Sequence, residues 1–175
     1  MLKKIALGLV AVIAIIISLA AAKPGSFAVQ RSVIIKAPPE KIIALLGDFH
    51  QWANWSPWEA LDPNMARTFS GASSGKGAVT QWKGNADVGE GRMEIIDLAP
   101  PGKVVIKLDF MIPFESHNMT EFTLVPQGDA TSVTRNRIAP MPFVSKIMSV
   151  FTSMDAMIGP DFEKALANMK AVAEK

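Results

Sequence analysis

The pentapeptide Gly71-Ala72-Ser73-Ser74-Gly75 fits the G-x-S-x-G pattern that presents a nucleophilic serine in many hydrolases. Such a serine is reactive because a sharp turn between a strand and a following helix holds its hydroxyl out. Here the residues that follow, "KGAVTQWK", alternate as a strand does. Ser73 is therefore expected in a hairpin loop, outside hydrolase chemistry. Gly75-Lys76-Gly77 lacks the spacing of a phosphate-binding loop. The chain has two histidines, His50 and His117, and no cysteine. That removes thiolate nucleophiles, disulfides and cysteine-containing metal sites, so neither a metal nor a cofactor is expected.

His117 and Asn118 are neighbours on the longest strand-like run and must face opposite sides. Asn118 shares parity with Phe122 and Leu124, which makes it the inward residue. Its amide has two uses there: orienting a ligand carbonyl or hydroxyl, or satisfying the backbone at a strand end. Asp155, Asp161 and Glu163 read as the solvated face of a terminal helix. No positioned base and nucleophile come together in the sequence. The 18 basic residues face 16 acidic ones and are scattered beyond Lys3-Lys4, so the basic cluster that nucleic-acid binding needs is missing.

Stacking is the remaining chemistry. Trp52, Trp55 and Trp58, three of the four tryptophans, fall three apart in "DFHQWANWSPWEALDP". They suit a ligand platform, an interaction surface, or a plug that closes a core.

The elements around them come from periodicity. "SFAVQRSVIIKA" alternates as a strand, and "PPEKIIALLGD" reads as a helix with Pro39 in its first turn and Gly47 at its stop. Asp48 and Gln51 look like a capping box for a second short helix, ended by Pro57. Six strand-like runs follow: "MARTFS", "AVTQWK", "GRMEIIDL", "KVVIKLDF", "SHNMTEFTLV" and "TSVTRNRI". Short turns between them predict an antiparallel meander. At the end, Ile147, Phe151, Met154, Ile158, Phe162, Leu166, Met169 and Val172 recur at helical steps. This predicts one long, methionine-rich helix kinked at Gly159-Pro160.

The amino-terminal segment is distinct. After Lys3-Lys4, nothing from Ile5 to Ala22 is charged, and the run is near the length that spans a bilayer. Its length and Ile/Val content favour an uncleaved anchor over residues 1–22, whereas Ala20-Ala21-Ala22 also fits signal cleavage and a secreted product. Either way the lysines stay cytoplasmic and the rest is extracytoplasmic, periplasmic in a bacterium. Residues 23–25 form a very short linker, and residues 26–175 form one domain.

Residues 26–175 resemble the START-like helix-grip superfamily (SRPBCC), and within it the polyketide cyclase/dehydrase-type group. The resemblance rests on "RSVIIKAPPEKIIALLGDFHQWANWSPWE", "FSGASSGKGAVTQWKGN", "VGEGRMEI", "PFESHN", "FTLVPQGDATSVT" and "MDAMIGPDFEKALANMK", in that order. It implies an α+β fold, with a curved antiparallel sheet of about seven strands around a long carboxy-terminal helix. It also implies a cavity for a hydrophobic small molecule or lipid, with Trp52, Trp58, Trp82, Met93, Phe110, Asn118, Phe122, Arg135, Phe151, Met154 and Ile158 as candidate lining. A cyclase- or dehydrase-type enzyme and a module with a filled interior are the alternatives, because this fold carries many functions. Similar sequences usually have tryptophan where this chain has Arg135. An inward guanidinium needs a carboxylate, an anionic ligand or solvent, unless it reaches the domain edge and snorkels. Among the tryptophans, Trp55 is expected to be the most buried, with Trp52 and Trp58 nearer the cavity mouth or surface.

Overall fold

The alternation that begins at Ser26 becomes a seven-stranded antiparallel sheet in the computed structural model, which describes residues 1–175. The strands are β1 (Ser26–Ile35), β2 (Ala66–Gly71), β3 (Ala78–Lys83), β4 (Glu90–Ala99), β5 (Lys103–Ile112), β6 (Ser116–Gln127) and β7 (Ala130–Pro140). Their order in the sheet is β1-β7-β6-β5-β4-β3-β2, which leaves β1 and β2 as its edges. The connection between these two edges carries helix α2 (Pro39–Gly47) and two 3-10 turns, Phe49–Asn54 and Pro57–Ala60.

The pleat sorts residues by parity. On β7 the inward residues are Thr131, Val133, Arg135 and Arg137, and on β6 they are Asn118, Thr120, Phe122 and Leu124. Register then builds rungs across the concave face. Arg31 pairs with Arg135, Arg135 with Phe122, and Phe122 with Val104. The next rung runs through Arg137, Thr120, Ile106 and Ile95.

The carboxy-terminal helix corrects the periodicity reading. It is two helices, α3 (Phe143–Phe151) and α4 (Met154–Ala173), and the break falls at Thr152–Ser153, not at Gly159-Pro160. Thr152 is extended, and Ser153 caps α4 by accepting a 3.0 Å hydrogen bond from the Ala156 N–H. The helix runs on through Pro160. α4 lies against β1 and α2; its Leu166 and Met169 join Ile35, Leu46, Trp55, Phe122 and Val133 in one core, and its Phe162 is fully buried as well. Each fully buried side chain of this size contributes about 1.5–3 kcal/mol.

Helix α1 (Leu2–Ala21) stands apart from this core. It has 20 residues, of which an 18-residue window has mean hydropathy 2.6, long and apolar enough to cross a membrane. It packs against α3, with Ala20 buried and Ile16 partly so.

Candidate functional site

A cavity of about 100 Å³ lies between the two 3-10 turns and the inward side chains of β2 to β5 and β7. Proline and tryptophan build its roof. Pro57 opens the second turn, Trp58 hangs from that turn over the cavity, and Trp52 closes the side toward the core. Trp52 donates its indole N–H to the Leu46 carbonyl (3.2 Å), and Trp55 donates to that of Leu45 (3.4 Å). The two rings pack 4.6 Å apart, so the indoles lock the turn onto the end of α2. Trp55 is 1% exposed and belongs to the core, whereas Trp58 is only partly buried. Trp52 is fully buried yet lines the cavity, so it is an inner wall rather than a surface residue.

The far wall is aromatic too. Trp82 meets Phe110 edge-on at 5.6 Å and donates to the Val88 carbonyl at 3.0 Å. Its ring lies over Gly91, its register partner, where any Cβ would overlap the indole and crowd the Asp109 carbonyl. Met93 and Leu108 complete this apolar side.

Glu59 is the one carboxylate lining the cavity, and it is ion-paired with Arg67. Both also line a neighbouring pocket of about 220 Å³ with Phe49, His50, Ala53 and Phe69, so the pair stands between the two spaces.

Arg135 and Arg137 project from β7 into the cavity. Arg135 is 4% exposed. Its guanidinium carbon lies 4.0 Å from the Phe162 ring centre, 5.0 Å from Trp58 and 5.4 Å from Phe122. That of Arg137 lies 5.5 Å from Phe110. Nε and Nη1 of Arg135, Nε of Arg137 and the Thr120 hydroxyl are buried without a hydrogen-bond partner. Burial pushes Arg135 down to about 9, helped by the like charge of Arg137 and opposed by Asp161. Burial pushes Arg137 down to about 10. A guanidinium keeps its proton at neutral pH even so, and the site therefore carries two cations in an apolar setting.

Of the residues expected to line a cavity, Trp52, Trp58, Trp82, Met93, Phe110 and Arg135 come together around it. Phe122 lies beneath Arg135 in the core. Asn118 is buried and inward but donates to the Leu108 carbonyl and the Ser116 hydroxyl, both at 3.2 Å, which is the backbone-satisfying alternative. Phe151 is corrected: it is 72% exposed on α3. Met154 and Ile158 lie on the first turns of α4, away from the cavity lining. The Ser153 cap breaks the helical phase between Phe151 and α4. Met154 and Ile158 keep the phase of Phe162 and are partly buried, but the cavity lies toward the sheet's other lining strands, β2 to β5. Arg137, Arg67, Glu59 and Thr80 line the cavity and were missed. Arg137 had a readable signal, since it shares parity with Val133 and Arg135. Ser73 is exposed in the β2–β3 loop, with a strand after it.

A curved antiparallel sheet gripping a terminal helix, with a cavity on its concave side, defines a helix-grip domain of the START-like class. The chain belongs to the family described as "Polyketide cyclase / dehydrase and lipid transport", whose model matches residues 26–174. Solved structures agree on the fold. Major latex-like protein 151 from Panax ginseng has a TM-score of 0.63 at 16% identity, covering 86% of this chain and 99% of that one. The di-domain ARO/CYC protein BexL of the BE-7585A biosynthetic pathway has a TM-score of 0.61 at 14% identity, and the alignment covers 91% of this chain but 53% of BexL. An Aha1 protein from Colwellia psychrerythraea has a TM-score of 0.56 at 18% identity, covering 85% and 96%. No curated protein matches the chain in sequence.

Proposed function

We propose that this protein binds a small, largely apolar molecule in the cavity under Trp58 and that α1 holds the binding domain at the outer face of a membrane. The cavity carries the reading: nine of its fifteen lining residues are hydrophobic, and they surround a space inside a fold whose family includes lipid transport and cyclase/dehydrase chemistry. A catalytic role needs a group that can hold or move a proton beside the guest. Glu59 is the one carboxylate there, and its pairing with Arg67 favours binding over turnover.

The surface supports the membrane part. The register places the β5–β6 turn at the same end of the sheet as Ser26 and Pro140, where α1 and α3 attach. That end exposes Met111, Ile112 and Phe114 from the turn, and Phe143, Val144, Met148 and Phe151 from α3. An apolar cluster of this kind beside an apolar helix suits a lipid surface. Lys3 and Lys4 would then stay cytoplasmic.

Native mass spectrometry of the full chain, released from detergent micelles, tests the binding. A bound species of defined mass is expected on the wild type and absent from Met93→Trp, which fills the cavity. Guest-free wild type, with no uptake from a membrane extract, would count against the reading.

A further inference from the structure

A buried and a partly buried cation, Arg135 and Arg137, share the cavity. No ion pair includes either of them, although the domain forms eight pairs between a lysine or arginine and a carboxylate. The rings around Arg135 stabilise its charge through their faces, but a ring face does not accept the in-plane N–H bonds of a guanidinium. Nε and Nη1 of Arg135 and Nε of Arg137 therefore remain donors with no protein acceptor. Asp161 reaches Arg135 only as a charge, without a hydrogen bond. The two arginines are two residues apart on the same strand and face the same side, so their Cα atoms are about 6.5–7 Å apart. That spacing lets both forks converge on one small group between them.

We propose that Arg135 and Arg137 form an anion subsite and that the guest is an amphipathic organic anion, with one carboxylate or phosphate group on a compact apolar body. This rests on the ligand-binding reading and specifies its ligand. The charged end lies between the two guanidinium groups, where planar, forked donors match either oxyanion. The apolar body lies between Trp58, Trp82, Met93 and Phe110. At about 100 Å³ the cavity is smaller than the roughly 300–1,000 Å³ of pockets for drug-sized ligands. The body is therefore no larger than a single ring or a short chain, since a cavity of about 150 Å³ is filled by one benzene. Glu59 does not compete for the arginines, because Arg67 neutralises it.

The test uses the full chain in nanodiscs of zwitterionic lipid and three probes of one shape: benzoate, phenyl phosphate and the neutral benzyl alcohol. Titration calorimetry gives the affinities, and quenching of the cavity tryptophans reports the site. One or both anions are expected to bind about 10- to 100-fold more tightly than the alcohol, the range for hydrogen bonds to charged groups. Arg135→Met and Arg137→Met should each erase that preference, bringing the anions to the affinity of the alcohol for the same variant, with the melting temperature intact or higher. Whichever anion binds more tightly identifies the head group. Equal binding of all three probes by wild type would overturn the anion subsite and leave the ligand-binding reading standing. Anion preference that survives both substitutions would also overturn it. No binding of any probe would remove both.

Discussion

Arg31 and Arg135 face each other across the β1–β7 ladder, on the same side of the sheet, and the chain treats them in opposite ways. Arg31 is fully partnered. Its Nε donates to Glu163 (2.6 Å), Nη1 and Nη2 donate to Asp155 (2.7 and 2.9 Å), and Nη1 also reaches the Gln30 carbonyl at 2.8 Å. These carboxylates raise its affinity for its proton, Asp155 most strongly. Even the helix backbone is shaped for it, because a Cβ at Gly159 would overlap the guanidinium. Arg135, one strand further in, has aromatic faces and no carboxylate. An isolated buried charge is costly. The fold hydrogen-bonds two carboxylates to one arginine and none to its neighbour, which only Asp161 reaches, as a charge.

The largest change should come from removing the ring beneath Arg135. Phe162→Ala is expected to cost about 3–5 kcal/mol in denaturant unfolding, since the ring is both core and cation support. A loss below about 1 kcal/mol would mean that neither role matters there. Next is the cation itself. In guest-free protein Arg135→Met should raise stability by about 1–4 kcal/mol, because an unpaired buried charge is replaced by an apolar chain of similar length. Destabilisation would place Arg135 with Arg31, as a residue kept for the fold.

The smallest effect belongs to Arg31 and is best read against pH. Its hydrogen bonds lower the Asp155 pKa below the usual carboxylate value, against a weaker opposing effect of burial. A depressed folded-state pKa stabilises the protein above the unfolded value, about 3.9, and that stabilisation fades as pH falls through the folded one. Gly159→Ala displaces the guanidinium and should flatten this acid-linked loss, at the cost of a slightly lower melting temperature near neutral pH. Equal acid profiles for the two proteins would show that the pair is too exposed to matter.

Strand positions were legible because the alternation is strict and the turns are rich in glycine. The run "TSVTRNRI", residues 131–138, became β7 over 130–140, and "AVTQWK" became β3 with the bounds expected. Trp55 was legible as core because it sits between two indoles that also need room. The capping box at Asp48 and Gln51 was half right: Asp48 does cap, but its carboxylate accepts from His50 N–H at 2.9 Å, as suits a 3-10 turn. The terminal helix was misread because periodicity has no punctuation of its own. Ser153 was the stop, and a proline further on drew the break. The Glu59–Arg67 partition joins a turn to a strand eight residues on, and no local pattern predicts such a pair.

Three polar stitches tie α4 and its carboxy-terminal cap to β1 and the residue after it. Besides Arg31, Lys170 Nζ donates to the Ile34 carbonyl at 2.9 Å and Glu174 accepts from Lys36 N–H at 2.7 Å. β1 is an edge strand with Ile34 exposed. Swinging α4 away to open the interior would bare that edge as a template for strand-to-strand association with another copy. The same stitches that hold the helix thus guard the colloidal behaviour of the protein.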